Sequence, residues 1–226
     1  MSREFDVLYG ASGVLETSDG RSRALRGERW CDEPDEADRA LLDTCAGPTL
    51  DIGCGPGRLT GELAARGVVA LGIDTSPLAV RLTNGRNGPA LRRDVFAALP
   101  GAGDWREALL IDGNIGIGGD PAALLRRVRG LLRPGGVAWV EVEPPGAGVW
   151  IGGARVVRAG RGGAVFRWAV VGAEAIEALG LAAGFRRVRV TELFGRWFAT
   201  LTSNPDDLDS VRPEADDSAN PMWTMR

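Results

Sequence analysis

One stretch constrains this chain more than any other. Leu50-Asp51-Ile52-Gly53-Cys54-Gly55-Pro56-Gly57-Arg58-Leu59-Thr60 reads as an apolar strand that ends in an acid and a glycine-rich turn, with a helix starting at once. A second apolar run closes on Gly72-Ile73-Asp74, an acid about 20 residues further on. That layout is a nucleotide-type cofactor site on a parallel sheet. The glycines let the backbone approach a ligand closely, and Asp74 is placed to accept hydrogen bonds from ribose hydroxyls. The spacing Gly53-x-Gly55-x-Gly57 differs from the G-x-G-x-x-G fingerprint of dinucleotide sites.

The basic residues constrain the chemistry as strongly. The chain has no His and no Lys, so all 27 basic residues are Arg. Imidazole base catalysis, Schiff-base chemistry and His-ligated metal sites are excluded, and no metal is expected. Arginine is too weakly acidic to shuttle protons. Proton transfer falls to Asp, Glu, Tyr9, one of three Cys or water. Weakly acidic alcohols are then difficult acceptors, whereas carboxylates, amines and acidic phenols are already nucleophilic near neutrality.

At 226 residues and 44% apolar content, one globular domain with a full core is the natural reading. Cys31, Cys45 and Cys54 have no metal-like spacing, and their odd number argues against a disulfide framework, so a cytoplasmic location is expected. The start, Met1 to Asp6, does not resemble a signal peptide, and no apolar run approaches a membrane span. From Ser203 onward six acids face two arginines, a net −4, which leaves the rest of the chain at +1 of the total −3. A near-neutral body gives little support for nucleic-acid binding.

Along the chain, Ser2 to Arg29 reads as an irregular cover with a short helix, and Pro34 to Cys45 as a helix. Strands are expected at Thr49 to Ile52, Val68 to Ile73, Ala90 to Arg93, Ala108 to Ile111 and Val137 to Val142. Helices should run from Arg58 to Arg66, from the Ser76 cap to about Asn84, and from Asp120 to Leu132. The pattern then departs from alternation. Ala154 to Arg158, a glycine turn and Ala164 to Val170 read as a β-hairpin, followed by a helix over Ala173 to Ala183. Arg186 to Leu193 and Arg196 to Thr202 form a closing antiparallel pair. The expected fold is α/β: a Rossmann-like, seven-stranded, mostly parallel sheet with that closing pair and a hairpin insertion after the fifth strand. The expected division is residues 1–45 as N-terminal cover and helix, 46–202 as the cofactor-binding domain, and 203–226 as an acidic, disordered tail.

Five motifs in order carry a resemblance to a family. Asp51 to Gly57 resembles motif I of class I S-adenosylmethionine (SAM) dependent methyltransferases, and Asp74 their ribose-binding acid. Arg93-Asp94-Val95 resembles the adenine-binding turn, Asp112-Gly113-Asn114 sits where motif IV sits, and Leu131 to Gly136 resembles the junction before the fifth strand. The resemblance implies SAM as cofactor. It places Gly53, Gly55 and Gly57 beneath the methionine moiety, Asp51 near the ammonium, and Asp74 with Thr75 at the ribose. Asp94 falls at the adenine amino group, Val95 on the ring, and Asp112 beside the reactive methyl. Arg58 either pairs with the SAM carboxylate or is a solvated residue of a helix's first turn.

The acceptor side is less defined. Asp112, Glu143 and, in reserve, Tyr9 are the candidates to orient the acceptor or take its proton. Glu143 reads equally as an end-of-strand carboxylate paired with an arginine. Trp30, Asn114 and Trp150 are candidate substrate contacts. Arg155, Arg158, Arg161 and Arg167 of the hairpin, with Trp150 and Trp168, suit an anionic or aromatic molecule or else face solvent. The N/D-P-P-Y/F motif of methyltransferases acting on nucleobases or glutamine is missing. The expected function is therefore methyl transfer from SAM to a small molecule, with no nucleic-acid or membrane partner. The competing readings are a SAM-fold module without turnover and a methyltransferase acting on a protein partner.

Overall fold

The structure, a computed structural model, describes residues 3–203. The expected tail beyond Ser203 lies outside the described residues. A 3₁₀ helix, Arg3–Leu8, leads into strands β1 (Ser12–Thr17) and β2 (Ser22–Arg26), then helices α1 (Gly27–Cys31) and α2 (Glu36–Leu42). A capping box starts α2: Asp35 Oδ1 accepts from the Asp38 N–H at 2.8 Å, and Asp38 accepts from the Asp35 N–H at 3.2 Å.

Strict alternation follows. β3 (Thr49–Ile52), α3 (Arg58–Ala65), β4 (Ala70–Asp74), α4 (Pro77–Gly85) and β5 (Ala90–Arg92) succeed one another. Ser76 caps α4 with its hydroxyl, and Pro77 occupies its first turn. β6 (Trp105–Leu110), α5 (Pro121–Leu131) and β7 (Leu132–Val142) complete the parallel set. β8 (Val149–Arg158), β9 (Arg161–Gly162) and β10 (Phe166–Val171) form the insertion. α6 (Ile176–Ala182), β11 (Arg187–Leu193) and β12 (Arg196–Thr202) close the chain's described part.

The main sheet has seven strands in the order β11-β12-β7-β6-β3-β4-β5. Five run parallel, while β12 pairs antiparallel with both β7 and β11. This is the expected seven-stranded sheet with its closing pair. Both faces are covered, as a parallel sheet requires. Leu109, Ile111, Val137 and Trp139 pack with Leu41, Leu42, Leu59 and Leu63 on one side. Their strand neighbours Ala108, Leu110, Ala138 and Val140 join α5, α6 and the insertion on the other. Among the described residues no helix is long and apolar enough to cross a membrane.

The N-terminal segment departs from the expectation of an irregular cover. β1 pairs with β2 and also with β8 of the insertion, so a second sheet forms in the order β10-β8-β1-β2, with β9 on β8. Its alternation is short and broken by Gly, Ser and Arg, so its strand character comes from the partner it finds rather than from its own periodicity.

Candidate functional site

The site lies at the carboxyl ends of β3, β4 and β6, where the strand order reverses between β3 and β6. The loop after β3 turns through Gly53, Gly55 and Gly57, at φ of 74°, 53° and 90°, a region that β-carbons disfavour. At Gly55 a β-carbon would project into open space, whereas at Gly57 it would strike the Thr83 backbone at 2.7 Å. Gly55 thus faces the cavity, and Gly57 serves the packing of the loop on α4. Thr83 secures that packing by donating to the Gly55 carbonyl at 2.8 Å.

Asp51 and Asp74 are both buried beside this loop. Asp51 accepts from the Thr60 hydroxyl at 2.7 Å. Burial raises its pKa to about 6, against the lowering effect of Thr60 and Arg58. Asp74 accepts from the N–H groups of Gly55 (3.1 Å) and Ser76 (2.8 Å). Burial pushes its carboxyl up, against those two donors. Ser76 also reaches the other way, donating through its hydroxyl to Asp6 at 2.9 Å, so the N-terminal 3₁₀ helix is tied to the turn that holds Asp74.

Three helices and three strand ends meet in a network of buried charge. Arg58 donates to Asp38 and Asp112; Arg29 donates to Asp112 (3.2 Å), Asp38 (3.3 Å) and Asp35 (3.0 Å). Arg196 forks onto Glu141 at 2.9 and 2.8 Å and reaches Asp38 at 2.7 Å. Asp112 follows β6 with φ of 59°, a strained backbone for a non-glycine residue, and its N–H donates to Glu141 at 2.6 Å. Burial alone would raise the Asp112 carboxyl, but the guanidiniums of Arg58, Arg29 and Arg196 hold it below the ordinary range.

Above the loop, Phe5, Tyr9, Trp30 and Trp168 roof a cavity of about 50 Å³ whose floor includes Asp51, Gly53, Gly55, Arg58 and Asn114. Phe5 makes ring contacts with Trp30 and Trp168 at 6.0 and 5.3 Å, and Tyr9 meets Trp30 at 6.4 Å. That volume holds a few waters. A smaller gap continues past Gly53 and Asp74 to Val95 and Ile117. A wider cleft of about 440 Å³ opens on the other side of Asp112 and Trp30, which line both spaces; Arg23, Arg26, Glu143, Phe194 and Trp197 also line it.

Several expected residues converge and several do not. Asp51, Gly53, Gly55, Arg58, Asp112, Asn114, Tyr9 and Trp30 line the cavity, and Asp74 and Val95 its extension. Asn114 spends both amide hydrogens on the carbonyls of Ile52 (2.9 Å) and Gly53 (3.0 Å), bracing the loop. Thr75 and Asp94 lie beside the gap without lining it, and Asp94 accepts from the Phe96 N–H at 2.9 Å. Glu143 is in the cleft, paired with Arg23. Trp150 is buried in the second sheet and lines neither space.

The proton-accepting roles expected of Asp112 and Tyr9 need correcting. Asp112 is saturated by two guanidiniums. Burial, reinforced by the charges of Asp74 and Asp6, drives the Tyr9 phenol far above its usual range. None of the hairpin arginines lines either space; Arg155 pairs with Glu16, and Arg158 donates to the Val7 carbonyl. Sequence reasoning missed Phe5, Asp38, Arg29 and Arg196. Only the Asp35-x-x-Asp38 capping spacing signalled any of them, and it pointed to a helix start rather than a site.

This chain is similar to several known proteins. Residues 49–136 match the family model described as a methyltransferase domain. A trans-aconitate 2-methyltransferase of Methylobacterium radiotolerans is 40% identical over 100 residues, 41% of this chain and 36% of that protein. A release factor glutamine methyltransferase of Rhodospirillum rubrum is 43% identical over 79 residues, 33% of this chain and 23% of that protein. The chain therefore spans about a third or less of the length of these curated relatives. In fold it is similar to a SAM-dependent methyltransferase of Bacteroides fragilis solved with S-adenosyl-L-homocysteine, with a TM-score of 0.71 at 20% identity, covering 88% of this chain and 94% of that one.

Proposed function

We propose that this chain, whose residues 49–136 match a methyltransferase domain, transfers a methyl group from SAM to a small molecule. The observation that carries the proposal is the cradle at the end of β3: a positive-φ glycine loop with open space over Gly55, between the buried carboxylates of Asp51 and Asp74.

The residues present fit the cofactor. Arg58 Nε is buried without a hydrogen-bond partner although both terminal nitrogens are engaged, so it is free to meet the methionine carboxylate. Thr75 Oγ1 is likewise buried and unpartnered, next to the ribose acid. Asp51 would hold the ammonium, Asp74 the ribose hydroxyls, Val95 the adenine face, and Asp94 the adenine amino group. The roof formed by Phe5, Tyr9, Trp30 and Trp168 must lift for a molecule of that size to enter 50 Å³.

Bound SAM supplies an electrophilic methyl on a positively charged sulfur. The chain's part is alignment and exclusion of water. The aromatic roof shields the reacting centre, and the Arg58–Asp112–Arg29 pairs fix the wall beside it. With Asp112 and Tyr9 unsuited as bases and Glu143 paired with Arg23, the acceptor's proton, where it has one, leaves to water. Acceptors nucleophilic without a strong base suit this site. The related trans-aconitate methyltransferase, named for a small carboxylic acid, is compatible with that class.

Calorimetry with SAM, S-adenosylhomocysteine, NAD and ATP tests the cofactor, and methyl transfer from labelled SAM to a panel of small acids, amines and phenols tests turnover. Preference for NAD or ATP would overturn the reading. SAM binding without transfer to any acceptor would favour a non-catalytic module, and transfer only to protein would favour a protein substrate.

A further inference from the structure

We infer that the cleft beside the cofactor cavity is the acceptor site and that it takes an organic anion, held by Arg23 and Arg26. The inference rests on the methyltransferase reading for the identity of the reaction, though not for the binding chemistry.

Place comes first. The cleft lies between β2, the carboxyl end of β7 and the tight turn between β11 and β12. Its volume of about 440 Å³ falls in the range of small-molecule sites. It shares Asp112 and Trp30 with the cofactor cavity, so the two spaces adjoin at these residues.

Charge decides the class. The cleft is lined by four acids, and each already holds a guanidinium. Asp112 is taken by Arg29 and Arg58, Glu141 by the fork of Arg196, Asp35 by Arg29 and Arg196, and Glu143 by Arg23. The cations are not all spent. Arg26 is exposed, and its side chain has no ion pair or hydrogen bond among the described residues. Arg23 gives one terminal nitrogen to Glu143 and leaves 43% of its side chain open. A cationic ligand would have to break existing pairs to find a carboxylate. An anionic one meets a whole guanidinium and part of a second, the planar forks that suit carboxylates.

The rest of the lining suits a flat apolar body. Trp30 and Trp197 are half-buried, and Phe194 stands 63% exposed from a turn where its φ is 50°. A large aromatic side chain held out at a cleft by strained backbone offers a face for stacking. This site is distinct from Arg155 and Arg158 of the insertion, whose partners are Glu16 and the Val7 carbonyl.

A matched pair of probes tests the inference. Indole-3-acetate and tryptamine share a flat ring and carry opposite charges. Each is titrated into the full chain by calorimetry, with and without saturating S-adenosylhomocysteine. The acid should bind at least about tenfold more tightly than the amine, and the double variant Arg23→Gln/Arg26→Gln should lose about tenfold or more of the acid's affinity. The same variant should keep the parent's S-adenosylhomocysteine affinity and circular dichroism, and Arg167→Gln on the insertion should bind the acid as the parent does. Equal or tighter binding of tryptamine, no measurable binding of the acid, or an unchanged affinity in the double variant would each overturn the inference. If S-adenosylhomocysteine fails to bind while the acid binds and depends on Arg23 and Arg26, the cofactor reading falls and the anion site stands.

Discussion

The two halves of the proposed site are built in different ways. The cofactor half comes from one short stretch: Asp51, Gly53, Gly55 and Arg58 lie within eight residues, and Asp74 ends the adjacent strand. The acceptor half is assembled from four distant pieces: Arg23 on β2, Trp30 on α1, Glu143 beyond β7, and Phe194 between β11 and β12. Between them stands the charge network of Asp38, Arg58, Asp112, Arg29, Arg196 and Glu141. A local motif can bind a common ligand because a strand, a turn and a helix start fix its geometry. A cleft for one particular acceptor has no local template, and it depends on whatever holds the four pieces together.

The network is therefore where the comparison is most readily broken. Asp38 is 1% exposed and receives hydrogen bonds from Arg58, Arg29 and Arg196. Asp38→Ala leaves a buried guanidinium short of its partner and should cost about 3–5 kcal/mol in urea denaturation. A loss below about 1 kcal/mol would mean that the two halves are joined by apolar packing instead.

The second effect separates stability from binding within the cofactor half. Asp51 has a carboxyl raised from 3.8 to about 6. The unfolded chain then releases this proton before the folded one does. The group's contribution is most favourable below about pH 4, falls as pH rises through 6, and is flat above. Asp51→Asn should remove that slope and raise stability at neutral pH by up to about 3 kcal/mol. SAM affinity should run the opposite way, rising as Asp51 ionises and dropping in the Asn variant. Denaturation and calorimetry between pH 4 and 8, values chosen to bracket the transition, check both signs. A parallel pH profile for the two quantities would remove Asp51 from the ammonium site.

Smaller effects sharpen the contrast. Asp74→Ala should weaken SAM binding by about 1–3 kcal/mol, read by calorimetry. An unchanged affinity would misplace the ribose. SAM association should be slowed well below the diffusional limit, because the roof of Phe5, Tyr9, Trp30 and Trp168 must open first. Tryptophan fluorescence in stopped flow should show that step as a rate that levels off with SAM concentration. Arg155→Ala, at an exposed pair with Glu16, should change stability by less than about 1 kcal/mol and leave acceptor binding untouched. A loss of acceptor binding there would move the site to the insertion.

Sequence and structure divide along the same line. The order of strands and helices, the glycine loop, Asp51 and Asp74 were legible because each rests on residues close in the chain, where periodicity, caps and turn chemistry act. The second sheet was not legible. β1 lacks an alternation of its own and becomes a strand by pairing with Val156 and its neighbours, more than 130 residues away. The aromatic roof was seen in pieces: Tyr9 and Trp30 stood out in the cover segment and Trp168 in the hairpin, while Phe5 gained its place only when both sheets closed over the loop. Asp112 shows the limit most plainly. Its position after β6 was readable from the motif, but its chemistry was set by Arg29 and Arg58. Charge acts through space, so whether a carboxylate is free depends on which guanidiniums the tertiary fold brings to it. The chain alone placed the glycine loop between its two acids; the folded arrangement decided which charges around it remain unspent.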